Sequence, residues 1–146
     1  MKIGYAELVS TIALVIAFAG LCISGWVAFR DRPRLKITSR FIPASEYGPN
    51  RIVITLINKG RRPVILRLLG GTSQDGRWSG EFLDHKNGGL RLGEHERYEH
   101  TIDRETAGEF HHEDEVLFFD NLWVEDSLGN RHPVPKSREH LQKLWP

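Results

Sequence analysis

The stretch RIVITLIN, residues 51–58, is rich in β-branched side chains and apolar on both faces of an extended chain. Ile52, Ile54 and Leu56 share one parity and Val53, Thr55 and Ile57 the other, so the segment reads as a central strand covered on both sides. On its N-terminal side Leu35, Ile37 and Phe41 alternate with Lys36, Thr38 and Arg40, the pattern of a half-buried strand, followed by a loop at Pro43 to Asn50. On its C-terminal side Asn58-Lys59-Gly60 turns the chain, Pro63 is unsuited to a ladder, and Val64 to Leu69 forms a return strand.

Further out, Asp75-Gly76 is the strongest hairpin signal, with Trp78 and Phe82 on one face of the strand that leaves it. Asn87-Gly88-Gly89 marks another turn, and Leu90 and Leu92 lead through Gly93 to Tyr98, His100 and Ile102 at period two. His95 and His100 fall in that strand at opposite parity. Asp103 to Glu115 is polar and without period; Val116 to Val124 is a second strongly apolar strand. Ser127-Leu128-Gly129-Asn130 then turns the chain into a short strand ending at Pro133-Val134-Pro135. About seven short strands separated by turn signals predict a mainly β domain over 33–136, an antiparallel immunoglobulin-like β-sandwich, with an open barrel as the alternative. The cysteine pair of antibody domains is missing, so architecture alone is expected.

The soluble part also resembles a group of small uncharacterised bacterial and prophage membrane proteins. The residues that carry the likeness are Asn58-Lys59-Gly60-Arg61-Arg62-Pro63-Val64, Asp75-Gly76, Leu92-Gly93-Glu94 and Val124-Glu125-Asp126-Ser127-Leu128-Gly129. The resemblance implies a single membrane helix followed by an immunoglobulin-like sandwich, and it implies no activity.

Such a helix is present in the sequence. From Leu8 to Phe29 there is no charged residue, and at about 1.5 Å per residue the run crosses a hydrocarbon core of about 30 Å. Ala17-Phe18-Ala19 imitates a signal-peptidase site, but the apolar run continues past it through Leu21, Ile23, Trp26, Val27 and Phe29. Leu21 before Cys22 argues against a lipoprotein signal. Residues 1–32 are therefore read as an anchor with a basic collar. Arg30, Arg32, Arg34, Lys36 and Arg40 crowd its C-terminal end, whereas Lys2 is opposed by Glu7, so the expected topology is N-terminus outside and C-terminal domain cytoplasmic, in the inner membrane. Tyr5 and Trp26 fall where aromatic rings meet the headgroups. Ala13, Ala17, Gly20, Ser24 and Ala28 recur at spacings of four, three, four and four, a stripe that allows two such helices to approach as a weak homodimer. Residues 137–146 read as a short amphipathic helix, with Ser137 at the N-cap and Leu141, Leu144 and Trp145 on one face that covers an end of the core.

A formal net charge of +1 and a mean hydropathy of −0.37 over 146 residues describe a polar domain of mixed charge, and no nucleic-acid partner is expected. The lone Cys22, inside the apolar run, excludes an intrachain disulfide or a cysteine zinc site. No Gly-Lys-Ser phosphate loop, Gly-x-Ser-x-Gly elbow or His-Glu-x-x-His pair occurs, so no cofactor and no catalytic residue is expected. The densest group of metal-ligating side chains is His111, His112 and Asp114, within a 103–114 segment that partly imitates a calcium loop. Its spacing puts Glu105, Ala107 and Asp114 where that loop needs other residues. Arg61 and Arg62, beside Pro63, form the most exposed cationic group away from the membrane, suited to an anion or an acidic protein partner. The expected function is that of a membrane-anchored, non-catalytic interaction or scaffolding module, its partners the bilayer and a protein. The alternative is a metal- or ligand-binding sensor built on the 103–114 loop.

Overall fold

The computed structural model describes residues 4–104, 111–112, 115–116 and 118–145. The chain divides into two compact units, Met1–Arg32 and Pro33–Pro146.

In the first unit one helix, α1 (Tyr5–Arg30), takes in the whole apolar run and one turn at its N-terminal side. It is long and apolar enough to cross a membrane, with a mean hydropathy of 2.3 over its central window. None of its residues is buried. Glu7 closes the first turn by accepting a hydrogen bond from the Gly4 amide at 3.2 Å. Ser10 and Thr11 donate their hydroxyls to the carbonyls of Ala6 and Glu7, so both polar side chains are satisfied within the helix. Tyr5 and Trp26 are exposed, and a Cβ at Gly20 would meet no atom within 4 Å.

The second unit is mainly β. Strands β1 (Leu35–Ile42), β2 (Arg51–Asn58) and β6 (Arg97–Asp103) form one antiparallel sheet in the order β1-β2-β6. Strands β10 (Arg131–Pro133), β9 (Phe119–Asp126), β3 (Val64–Ser73) and β4 (Trp78–Phe82) form a second in that order, with β5 (Leu90–Leu92) also pairing with β3. β2 is the centre of its sheet, as its double-sided apolarity requires. Ile52, Ile54, Leu56 and Ile102 from the first sheet meet Leu66, Leu69, Leu122 and Val124 from the second in one buried cluster. The Asp75-Gly76 hairpin is present: Ser73 donates its N–H and its hydroxyl to the Arg77 carbonyl and accepts the Gly76 N–H, and Gly76 takes φ +86, which only glycine adopts without strain. The Asp75 carboxyl, held by the Ser73 hydroxyl and the Arg77 guanidinium, falls to a pKa of about 2.

Several boundaries differ from the expectation. β3 runs on to Ser73 through Gly70-Gly71 because Trp123 and Phe119 fill the space above the two glycines. The strand expected at Val116–Val124 is divided: Glu115–Val116 is β8, paired with β7 (His111–His112), while β9 begins only at Phe119 and reaches Asp126. Phe118 between them is exposed, edge-on to Trp145. His95 is not in a strand; it has φ +60 in the turn before β6. Ser137 is not the N-cap of the tail helix α2 (Ser137–Leu144). Lys136 holds that position in a left-handed conformation, and the Ser137 hydroxyl instead accepts the buried amide of Leu122 at 3.1 Å. Leu141 and Leu144 do close an end of the core, and Arg104 donates to the last carbonyl, Leu144, at 2.9 Å.

Candidate functional site

The Asn58–Val64 turn is organised by one residue. Asn58 is fully buried; its amide nitrogen donates to the carbonyls of Arg62 (2.8 Å) and Leu92 (3.1 Å), and its oxygen accepts from Gly60 N–H (2.9 Å). Its backbone also bonds the 93–96 turn, receiving His95 N–H and donating to Glu96. Two loops distant in sequence are thereby fixed together. They present Arg61 and Arg62 to solvent, and Arg61 lies 3.8 Å from Glu94 on the facing loop. That long, exposed pair is weak.

A second surface joins Trp78 and Phe82, which the sequence places on one strand face, to residues of two other strands. Antiparallel register places Trp78 and Phe82 of β4, Leu68 and Thr72 of β3, and Trp123 of β9 on the outer face of the larger sheet. Trp123 lies over Gly70, donates its indole N–H to Thr72 (3.0 Å) and stands edge-on to Trp78 at 5.9 Å. The Arg131 guanidinium sits 4.0 Å from the Trp123 ring and 4.8 Å from Trp78, oriented by Glu125 at 3.1 Å. Trp78 and Phe82 remain 49% and 47% exposed, an aromatic ledge beside an edge strand.

Two imidazoles turn toward the interior. His100, opposite the core residue Ile54, is pushed down in pKa by burial, against the opposing pull of Glu81 on β4. His140 on α2 is likewise lowered by burial, with Glu139 opposing and Lys143 and Lys136 reinforcing. Its Nδ1 lies 3.0 Å from the Ser39 hydroxyl, which itself donates to the Pro135 carbonyl. The serine proton is thus directed at a carbonyl and Nδ1 carries the hydrogen, the arrangement of a structural pin between β1 and α2, not of a base poised on a nucleophile. Both folded pKa values lie below the unfolded value near 6.5, so the neutral rings stabilise the fold above that pH and the contribution is lost as pH falls through the folded values. The unfolding midpoint of the domain is expected to drop between pH 7.5 and 5, and His140→Gln to flatten that dependence. An unchanged slope in this variant assigns the effect elsewhere.

Of the residues singled out from sequence, Arg61 and Arg62 are brought together on one exposed turn. Ala13, Ala17, Gly20, Ser24 and Ala28 are on α1, with Arg30 in its last turn 3.6 Å from Asp31 and Arg32 stacked 5.0 Å over Phe29. The Arg34 carbonyl accepts Lys59 N–H at 2.7 Å. His111 and His112 form the short strand β7; Asp114 and most of the 103–114 loop lie outside the described residues. Among the described residues no three His, Cys, Asp or Glu side chains converge on a metal position.

No family model and no curated protein matches the chain. Among solved structures, the X-ray structure of Northeast Structural Genomics Consortium target SoR45 is similar over 72% of this chain and 82% of its own, at 15% identity and a TM-score of 0.30.

Proposed function

We propose that the chain is a single-pass inner-membrane protein that holds an immunoglobulin-like β-sandwich at the cytoplasmic face as a non-catalytic interaction module. The observation that carries this reading is α1, long enough to cross a membrane, apolar on every side and with no buried residue. Arg30, Arg32, Arg34 and Lys36 beyond its C-terminal end favour the cytoplasmic side for the domain. Crossings between the two sheets at 58–64 and 93–96 support a sandwich of immunoglobulin-like kind. The exposed Arg61-Arg62 turn suits an acidic protein segment, and the small-residue stripe of α1 suits a second anchor, each a modest contribution.

The test is site-directed photo-cross-linking in native membranes from a probe replacing Arg62. One protein is expected to be captured reproducibly, and its capture to fall when Arg61 is changed to Glu. Capture unaffected by the charge reversal, or none at all, removes the basic turn from the interface.

A further inference from the structure

We propose that two copies of the chain pair edge to edge through β4, antiparallel and centred on Gly80, so that their larger sheets join into one. The proposal deepens the interaction-module reading and rests on it. β4 ends the order β10-β9-β3-β4, and among the described residues no strand pairs with its outer side. Arg77 and Leu83 bond to β3, through Ser73 N–H to the Arg77 carbonyl (2.8 Å) and Leu83 N–H to the Arg67 carbonyl (2.9 Å). By alternation the backbone groups of Trp78, Gly80 and Phe82 point away from β3, a ready ladder for another strand.

The other edges are guarded. β1 carries the exposed charges Lys36 and Arg40 along its length; β6 presents the Arg97–Glu99 ion pair; β5 and β10 have three residues each, and β10 ends at Pro133. Charge, proline and cover are the usual means of blocking edge pairing. β4 carries a single charge, Glu81, and presents two half-exposed aromatic rings on either side of a glycine.

The sequence of β4, Trp78-Ser79-Gly80-Glu81-Phe82, is self-complementary about its centre. With a two-fold axis at Gly80, Trp78 lies opposite Phe82 of the second copy, twice, as aromatic cross-strand pairs. Ser79 lies opposite Glu81 of the second copy, a hydroxyl donor facing a carboxylate. Other registers are worse: one centred on Glu81 opposes two carboxylates, and one centred on Ser79 sets Trp78 against glycine. A five-residue ladder is weak alone, but copies confined to one membrane by α1 meet at high effective concentration.

The experiment uses the full chain in membranes, with Cys22→Ala as background and two differently tagged copies. One copy carries Ser79→Cys and the other Glu81→Cys, and disulfide formation is driven with copper phenanthroline. The mixed pair is expected to give a two-tag disulfide dimer well above either variant paired with itself, and Phe82→Glu in both copies to reduce it about tenfold by removing both aromatic pairs. A mixed pair that cross-links no better than the same-variant pairs overturns the proposal. So does a yield indifferent to Phe82→Glu. Either result leaves the interaction module standing if the Arg62 probe still captures its charge-sensitive partner; failure of that capture alone leaves the β4 pairing intact.

Discussion

Replacing Asn58 by alanine is expected to destabilise the β domain by about 3 kcal/mol, because it takes the partner from two buried hydrogen-bonding groups and a part-buried third at once. The Leu92 carbonyl and the Gly60 amide lose their partner in a buried place, and the Arg62 carbonyl in a part-buried one. The aspartate variant is the sharper probe. Asn58→Asp keeps the acceptor for Gly60 but sets a carboxylate against two carbonyl oxygens, so the folded state holds the acid protonated and raises its pKa. Its stability is then greatest below the unfolded value near 3.9 and falls as pH rises through the folded value. Denaturant unfolding of a fragment starting at Pro33, followed from pH 4 to 8, reads both effects. A loss below about 1 kcal/mol for Asn58→Ala, the worth of one ordinary hydrogen bond, means the two loops are held by something else.

The second large effect is expected at Gly71. A Cβ there comes within 2.3 Å of Phe119 Cγ and 2.5 and 2.6 Å of its Cδ2 and Cδ1. The ring is nearly buried and belongs to the core cluster, so it moves only by disturbing Leu66, Leu69 or Leu122. Gly71→Ala should therefore cost about 2 to 3 kcal/mol, the upper range of overpacking. Phe119→Leu alone opens space and also destabilises, but the double variant is expected to be more stable than the sum of the two losses predicts, because the smaller side chain relieves the contact. Strict additivity denies that Phe119 sits on Gly71.

The same pair of residues shows where sequence reading stops. The alternation of β1 and β2 is local: each face is written in the order of the residues, and both strands were legible. By its own residues β3 ends at Leu69, since the two glycines that follow weaken a strand taken alone. What carries it to Ser73 is the arrival of Phe119 and Trp123 from β9, some fifty positions later. Ser137 offered an N-cap hydroxyl, but tertiary structure used that oxygen for the Leu122 amide and left Lys136 to turn the chain. At Val116–Val124 strong apolarity suggests one strand, yet the ladder with β3 starts only at Phe119. For the candidate surfaces the division is similar. The Arg61-Arg62 turn was visible because Asn58, Gly60 and Pro63 mark it locally. The Trp78–Arg131–Trp123 stack was half visible, since its members come from three strands whose neighbourhood only the sheet order reveals.

The central claim, a domain held at the cytoplasmic face by α1, is tested most directly by cysteine accessibility. In a Cys22→Ala background the exposed Ser127, in the turn between β9 and β10, is changed to Cys and treated in intact cells with a membrane-impermeant maleimide. The account predicts that the chain stays with the membrane pellet after alkaline carbonate washing and is labelled only once the cells are permeabilised. Ready labelling from outside, or release of the chain by carbonate, contradicts it.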